Sequence, residues 1–340
     1  MRVNTRWMRV AVSSVAGILA LTSMAACSTG PTAGGSGSAT AAKEIRIGAL
    51  YLDSQGYYGG VKKGVQDAAK ASGLNVKLIE SSSAGDVAKE SSFMQSLVSS
   101  GVSAIIISAV SADGSIAAVK AASEAGIPVI CYNTCVSADA MSKYVTAYIL
   151  GDPLEFGKLA GDFAADFYKK KGNEAPQFGV LNCEQYEVCQ QRMKGFKDAL
   201  MAKLPNAKIA SDQEGTEADK AISVGEQIIT ANPGITGMYG QSGGATVGAF
   251  KSVGNRSKTG TIFAFGSDMT TDIATALKDG TVLQAVVDIS GLEVGKMAFG
   301  QAKDAMDGKK PAQQIIAAPV KLYTPDMAQA WIDAHPDGLP

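Results

Sequence analysis

Short β-branched segments alternate with longer amphipathic segments over most of the chain, and this alternation constrains the fold more than any other feature. It begins with a strand at residues 45–51 and a helix predicted over residues 58–71. Further strands are predicted over residues 75–80, 102–108 and 128–132, with helices over residues 86–99 and 113–125. Asp86 and Asp113 stand where helix N-caps belong, and Gly126 follows the last helix. This order is typical of βαβ units built around a parallel sheet.

The alternation restarts near residue 144, which predicts a second sheet. A strand over residues 144–150 and a helix over residues 154–171 lead into strands predicted at residues 177–182, 207–211, 235–239, 261–265 and 282–287. A chain of 340 residues has the length of about two domains, and its 46% hydrophobic content excludes wholesale disorder. We therefore expect an α/β fold with two similar lobes, each with a parallel sheet.

Polar loops follow many of the predicted strands. Right-handed crossovers place the loops after parallel strands at one edge of a sheet, and ligands of open α/β sheets bind there. We expect such an edge to gather the following residues and segments: 53–57, Ser108, Asn133, 183–190, Ser242 and Asp268.

The N-terminal segment has the pattern of an export signal. Arg2, Arg6 and Arg9 precede an apolar run over residues 10–21, which is too short to span a bilayer as a stable helix. Small residues then lead to Cys27, as in bacterial lipoprotein signals, where the cysteine is lipidated; an ordinary signal peptide is the alternative. Residues 28–43 are rich in Ser, Thr, Gly, Ala and Pro, which is typical of a flexible tether. We predict a lipoprotein signal over residues 1–27, a tether over residues 28–43, and anchoring at the outer face of the cytoplasmic membrane.

Four further cysteines form two clusters in the sequence. Cys131 lies near Cys135, and Cys183 lies near Cys189. An even number of cysteines in an exported protein favours disulfides over a metal site. Pairing within each cluster would close two short loops, whereas pairing between the clusters would tie distant segments together. We favour the local pairs, and a zinc site is disfavoured because neither spacing is C-x-x-C.

Charged and titratable residues restrict the function further. The chain has 31 Lys and Arg against 32 Asp and Glu, and three of the arginines belong to the leader. The remainder is therefore acidic, which argues against a nucleic-acid partner. His335 is the only histidine, so most zinc sites and most acid–base catalysis near neutral pH lack their usual residue. Neither a P-loop nor a dinucleotide-binding glycine motif occurs, and we expect no cofactor and no metal.

One motif favours catalysis. Residues 240–244 read Gly-Gln-Ser-Gly-Gly, a G-x-S-x-G match between a predicted strand and a predicted helix. Ser242, Asp268 and His335 also follow one another in the order of α/β-hydrolase triads. However, no His-Gly-Gly oxyanion segment occurs. We therefore expect a protein that is not an enzyme and keep a serine hydrolase as an alternative.

Ordered fragments of the folded part resemble a known family. They include residues 45–50, 101–108 and 125–130, the pair Gly151-Asp152, Arg192 ahead of Gly195-Phe196, and Asp268 ahead of residues 278–280. Over about residues 43–323 the chain resembles the periplasmic sugar-binding proteins of ABC importers, closest to the ribose-binding group. The resemblance implies two Rossmann-like lobes joined by a three-segment hinge near Gly151, Asp288 and Pro319. The lobes would comprise residues 44–151 plus 289–318, and residues 152–288 plus 319–340.

The resemblance also implies a set of ligand-binding residues in a cleft between the lobes. The first lobe would supply Gln55, Tyr57, Tyr58, Ser108, Asn133 and Thr134. The second lobe would supply Gln190, Arg192, Ser242, Asp268 and Asp288, with a further residue near Thr216. Several of these depart from the ribose-binding pattern, in which aspartate and arginine are expected at Asn133 and Thr134, arginine at Gln190, asparagine near Ser242 and glutamine at Asp288. The residues thus support the fold without defining the sugar.

Structural interpretations of the same residues remain open from the sequence. Tyr57 and Tyr58 could only cap the first helix, Asn133 could be a turn residue, and Asp268 could be the N-cap of a helix over residues 269–278. Asp288 could bond the backbone of the hinge.

The chemistry of the set fits a neutral polyhydroxylated ligand. Carboxylates and amides pair with vicinal hydroxyls, and aromatic faces cover the apolar side of a sugar ring. The resemblance implies a monomeric extracytoplasmic protein that delivers a small sugar or polyol to the transmembrane subunits of an ABC import permease. A receptor that feeds a membrane sensor is the alternative.

Overall fold

The strands and helices alternate from residue 45 onward, as the sequence predicts. The computed structural model describes residues 44–54 and 56–340, so that the predicted signal, Cys27, the tether and Gln55 lie outside the described residues. The first array contains β1 (Ile45–Tyr51), α1 (Gly56–Ala71), β2 (Val76–Ser82), α2 (Val87–Ser99), β3 (Ala104–Ile107), α3 (Ile116–Glu124), β4 (Val129–Tyr132), α4 (Ala138–Tyr144) and β5 (Ala147–Leu150).

A second array of the same kind follows. It contains α5 (Pro153–Lys170), β6 (Gln177–Asn182), α6 (Glu187–Lys203), β7 (Lys208–Glu214), α7 (Ala218–Ala231), β8 (Gly237–Gly240), α8 (Gly243–Asn255), β9 (Phe263–Ser267), α9 (Thr271–Asp279) and β10 (Leu283–Asp288). The chain ends with α10 (Gly291–Met306), β11 (Ile315–Ala317), β12 (Lys321–Tyr323) and α11 (Pro325–Ala334). None of the helices among the described residues is long and apolar enough to cross a membrane.

The strands form two six-stranded sheets with the same order. The first sheet runs β11-β5-β4-β3-β1-β2 and is parallel throughout. The second runs β12-β10-β9-β8-β6-β7, and only β12 is antiparallel to its neighbour. We call the first sheet with α1–α4 and α10 the first lobe, and the second sheet with α5–α9 and α11 the second lobe. The predicted fold class, an α/β protein of two lobes with parallel sheets, is confirmed.

Helices cover both faces of the first sheet, which explains why its strands are apolar almost without interruption. On one face Ile47 and Ala49 of β1 join a cluster with Val61 of α1. On the other face Leu50 joins a cluster with Leu97 of α2. Neighbouring residues of one strand therefore fill two different cores, because successive side chains of a strand point to opposite faces.

The chain crosses between the sheets three times, after β5, after β10 and after β11. These crossings lie at the three segments where the resemblance places the hinge. Two of them pack together, since a Cβ at Gly151 would overlap the side chain of Ile289. After α11 the chain returns to the first lobe: the amide of Leu292 donates to the carbonyl oxygen of Pro340 at 2.8 Å. The last residues, which the sequence assigns to the second lobe, thus contact the first lobe as well.

Some local predictions were wrong at helix ends. Asp86 caps α2 as predicted and accepts from the amide of Ala88 at 2.7 Å. Asp113 does not cap α3, which starts at Ile116 after Ser115. The strand predicted to begin at Tyr144 begins at Ala147, because residues 138–144 form α4. Seven residues are too few for a helical pattern to stand out in the sequence.

Candidate ligand-binding site

A cavity of about 560 Å³ lies between the two lobes. Its walls are loops that follow the carboxyl ends of strands in both sheets, together with the first turns of the helices after them. This is the edge that the sequence predicts. Seven of the predicted site residues line it: Tyr57, Tyr58, Asn133, Thr134, Arg192, Ser242 and Asp268. A cavity of this size is typical of sites for small molecules.

A chain of hydrogen bonds fixes the polar side chains in the first lobe's wall of the cavity. Thr134 donates its hydroxyl proton to the carbonyl oxygen of Ala109 at 2.7 Å, so its oxygen accepts from the Ser108 hydroxyl, also at 2.7 Å. The Ser108 oxygen can then accept from the Tyr58 hydroxyl, 3.4 Å away. Tyr58 in turn accepts from the side-chain amide of Asn133 at 2.8 Å. Burial raises the pKa of Tyr58, so its hydroxyl keeps the proton that this chain of bonds requires.

Asn133 is held in an uncommon backbone conformation. Its φ is +56°, in the left-handed region, which asparagine tolerates better than most residues. Tyr148 donates its hydroxyl to the Asn133 carbonyl oxygen at 2.7 Å, and the disulfide between Cys131 and Cys135 encloses the turn. Asn133 is therefore both the turn residue and a cavity residue.

Arg192 supplies the positive charge of the second lobe's wall. It lies in the second turn of α6, and its side chain is only 8% exposed. One terminal nitrogen donates to the carbonyl oxygen of Gln241 at 3.0 Å, and the guanidinium lies 4.0 Å from the centre of the Phe156 ring. The buried Nε has no hydrogen-bond partner in the described part of the chain. A buried donor without a partner is uncommon in folded proteins.

Asp268 faces Arg192 across this wall, with 4.0 Å between its Oδ1 and the guanidinium. Its other oxygen accepts from the amide of Gly243 at 2.9 Å. Burial raises the pKa of Asp268, while Arg192 and the Gly243 amide oppose the shift. One interpretation of the sequence made Asp268 the N-cap of α9, and this was wrong. Thr270 caps that helix, and its hydroxyl accepts from the amide of Ile273.

Three of the predicted residues do not line the cavity. Ser108 is fully buried behind Tyr58 and Thr134. Asp288 is buried below Asp268 and accepts from the amide of Met269 at 2.9 Å, so it bonds the backbone. Gln190 is exposed, and its side-chain amide donates to the carbonyl oxygen of Glu184. Residues two apart on a helix point to different sides, and Arg192 occupies the side of α6 that faces the cavity.

Other polar residues also line the cavity. Asp53 and Tyr186 fall within segments that the sequence places at this edge but were not named as ligand-binding residues, and Glu217 and Thr270 were not singled out at all. Each lies in a loop between a strand and the next helix, which is the signal that could have found them. Thr216, beside which a further residue was predicted, also lines the cavity.

The cysteine pairs are those that the sequence favours. Cys131 bonds Cys135, and Cys183 bonds Cys189. With these four thiols used in disulfides, they are not free to bind zinc. Cys183 and Cys189 themselves line the cavity, so the disulfides lie in cavity loops of both lobes.

The residues of a hydrolase triad are not assembled. The Ser242 hydroxyl accepts from the amide of Ala245 and thereby caps α8. His335 bonds the Trp331 carbonyl oxygen at 2.7 Å, and its ring stacks on the Trp331 ring. Among the described residues, no hydrogen bond joins His335 to Ser242 or Asp268. The glycine-rich motif is a helix start at the wall of the cavity.

Two α/β lobes that enclose one small-molecule cavity define a class of bilobal binding proteins. The family model for the periplasmic binding protein domain matches residues 49–310. The chain belongs to this family of extracytoplasmic substrate-binding proteins and is not an enzyme, which excludes the hydrolase alternative.

Curated relatives and solved structures agree with this family. The chain is 51% identical to the ABC transporter periplasmic-binding protein YphF of Escherichia coli over 88% of this chain and 92% of that protein. It is 26% identical to the ribose import binding protein RbsB of Bacillus subtilis over 83% of this chain and 88% of that protein. The crystal structure of a galactofuranose binding protein, 25% identical, superimposes with a TM-score of 0.77 over 86% of this chain and 99% of that one.

Proposed function

We propose that this protein captures a small neutral sugar or polyol between its lobes and delivers it to an ABC import permease. The main support for the proposal is that Asn133 of the first lobe and Arg192 and Asp268 of the second lobe converge on one cavity. A molecule that touches all three must contact both lobes. Its binding energy would therefore favour a closed arrangement of the lobes over an open one.

The polar groups of the cavity complement hydroxyls. The Asp268 carboxylate accepts hydrogen bonds, the Arg192 guanidinium donates them, and the side-chain amide of Asn133 can do both. A hydroxyl both donates and accepts, so vicinal hydroxyls can satisfy such a set. Tyr57 and Tyr58, in contact with each other edge to face, supply apolar surface for the carbon side of the ligand.

The names of the relatives support both the ligand class and the transport role. One is a ribose import binding protein, and the superimposed crystal structure is that of a galactofuranose binding protein. The relative with 51% identity is described as the binding protein of an ABC transporter. Import by a permease is therefore preferred over delivery to a membrane sensor.

Three further parts of the proposal come from the sequence. We place a lipid anchor at Cys27, with residues 28–43 as the tether to the membrane surface. We place the lobe boundaries at residues 44–151 plus 289–318 and residues 152–288 plus 319–340, which the membership of the strands in the two sheets supports.

Two experiments test the lipid anchor at Cys27. Globomycin, which blocks processing of lipoprotein signals, should leave the precursor uncleaved, and Cys27→Ala should release the protein from membranes. Neither effect is expected with an ordinary signal peptide.

A ligand panel tests the proposal directly. The protein is screened by thermal unfolding against pentoses, hexoses, xylitol and myo-inositol, with amino acids and polyamines as controls. A ligand that binds only the folded protein stabilises it by about 2.7 kcal/mol at a hundredfold excess over Kd, which should raise Tm by about 5 °C. A response to sugars or polyols alone supports the proposal. A response only to cationic amines would overturn it and would assign the carboxylates of Asp53, Glu217 and Asp268 to charge neutralisation.

A further inference from the structure

Asp288 is a buried carboxyl group at the crossing from β10 to α10. Its residue is 3% exposed, and it does not line the cavity. In the second sheet it pairs in register with Lys321 of β12. A buried acid at this place needs a partner, because burying an ionised carboxylate without one is costly.

Its hydrogen-bond partner is the backbone next to a cavity residue. Oδ1 of Asp288 accepts from the amide of Met269 at 2.9 Å, and Met269 is fully buried. The preceding amide, that of Asp268, donates to the carbonyl oxygen of Val287 at 2.9 Å. Two consecutive amides of the β9–α9 loop are thus held by two consecutive residues at the end of β10.

The β9–α9 loop that these bonds hold contains a residue in an uncommon backbone conformation. Asp268 has a φ of +61°, in the left-handed region that residues with a side chain seldom adopt. This conformation turns its carboxylate toward the Gly243 amide and to within 4.0 Å of the Arg192 guanidinium. Without an acceptor for Met269, the loop would gain an unpaired buried amide and lose the bond that fixes its path.

We propose that Asp288 is a positioning residue, which holds the Met269 amide and thereby fixes the direction of the Asp268 carboxylate in the cavity. The consequence for ligand affinity rests on the proposed function. The consequence for the backbone of the loop does not depend on any ligand.

The charges around Asp288 make this position sensitive to pH. Burial, with a smaller contribution from the neighbouring Asp268, raises the pKa of Asp288 to about 7, although the Met269 amide, Arg192 and Lys321 oppose the shift. On β12, Tyr323 also faces this charge, and its pKa is raised to about 12 mainly by burial and in part by Asp288. Near neutral pH the carboxyl group therefore titrates while it bonds Met269. The ionised form is the stronger acceptor, and it also repels the Asp268 carboxylate.

Nuclear magnetic resonance of the protein labelled with ¹⁵N-methionine tests the backbone contact without ligand. The Met269 amide signal is assigned by its loss in Met269→Leu and followed from pH 5 to pH 9. It should move with a midpoint near pH 7 in the wild type. In Asp288→Asn, which keeps an acceptor oxygen, it should stay near its low-pH position at every pH. In Asp288→Ala it should move away from both wild-type positions because the hydrogen bond is lost.

A Met269 signal that Asp288→Ala leaves unchanged, or that titrates in Asp288→Asn as it does in the wild type, would overturn the proposal. Since Asp288→Asn keeps an acceptor oxygen of the same size, poor folding of Asp288→Ala would not prevent a decision. Calorimetry with D-ribose and xylitol then measures the effect on binding: Asp288→Ala should weaken it at least tenfold, and Asp288→Asn less than threefold. Equal tenfold losses in both variants would indicate a direct role of the charge and contradict positioning. If neither compound binds the wild type, the ligand assignment is in question while the amide titration still decides the role of Asp288.

Discussion

Two residues with left-handed backbone conformations form the centre of the site at the scale of single side chains. Asn133 and Asp268 have φ values of +56° and +61°, and they lie in loops of different lobes. Asparagine and aspartate are the residues with side chains that best tolerate this region. Their identity therefore suits both the local backbone and the proposed ligand contact.

Replacing Asp268 by alanine tests the ligand contact. The variant would leave ligand hydroxyls without their acceptor and remove the carboxylate that lies 4.0 Å from Arg192. Affinity for the sugar or polyol should therefore fall by roughly 2 to 4 kcal/mol, about thirtyfold to a thousandfold. Asp272→Ala, on the exposed side of the first turn of α9, is the matched control and should bind as the wild type does. Calorimetry measures both. Unchanged affinity in Asp268→Ala and also in Asn133→Ala would remove these residues from the site.

The raised pKa of Asp288 predicts a pH dependence of stability. In the unfolded chain an aspartate ionises near pH 3.9, whereas in the folded protein Asp288 keeps its proton up to about pH 7. The folded state binds the extra proton between these values, so this group's contribution to the free energy of unfolding falls as pH rises through that window. Urea unfolding at pH 4, 5.5 and 8 should therefore show Asp288→Asn gaining stability relative to the wild type as pH rises. A difference that is the same at all three values would contradict the shift.

At the scale of elements, the sequence predicted strands better than helix ends. β1 and β6 have the predicted bounds, because buried parallel strands are apolar runs that end abruptly at polar loops. The start of α3 was wrong, since the residues before it form turns whose polar side chains resemble caps. Gln190 was wrongly predicted to line the cavity. The sequence analysis did not assign helix α6, so it could not tell which side of that helix faces the cavity.

The disulfide between Cys183 and Cys189 is expected to hold the loop that leads to Arg192. It closes a loop with a sequence separation of 6, for which the loss of chain entropy in the unfolded state corresponds to about 2 kcal/mol. The double variant Cys183→Ala with Cys189→Ala should lose about that much stability and should bind sugar more weakly. Urea unfolding and calorimetry measure the two effects. An affinity equal to that of the wild type would show that the disulfide does not order the cavity.

Close packing of α5 on α6 fixes Arg192 from the other side. A Cβ at Gly157 would overlap the backbone of Arg192, so Gly157→Ala must push the two helices apart. Such overpacking costs roughly 1 to 3 kcal/mol, and ligand affinity should fall with it. Gly300→Ala in α10 is the matched control, because nothing lies within 4 Å of its Cβ position, and it should stabilise the protein slightly. Thermal unfolding that ranks Gly157→Ala as equal to Gly300→Ala would contradict the packing.

At the scale of the whole molecule, periodicity predicted two sheets and the resemblance predicted how they are joined. The restart of the alternation near residue 144 was enough for a second lobe. Periodicity could not predict that β11 returns to the first sheet and β12 to the second. Each is a strand of only three residues that pairs with a strand far away in the sequence. Contacts such as that of Leu292 with Pro340 likewise join segments that no local pattern connects.

One ligand held by both lobes should draw the lobes together, which small-angle X-ray scattering can measure. The lobes already approach each other across the cavity, where the Cβ position at Gly85 lies 3.8 Å from the Tyr186 hydroxyl. The radius of gyration is measured without ligand and with a saturating concentration of the sugar or polyol that gives the largest shift in Tm. The radius should be smaller with ligand in the wild type, and the change should be reduced in Asp268→Ala at the same concentration. An identical radius with and without saturating ligand would contradict closure of the two lobes on their ligand.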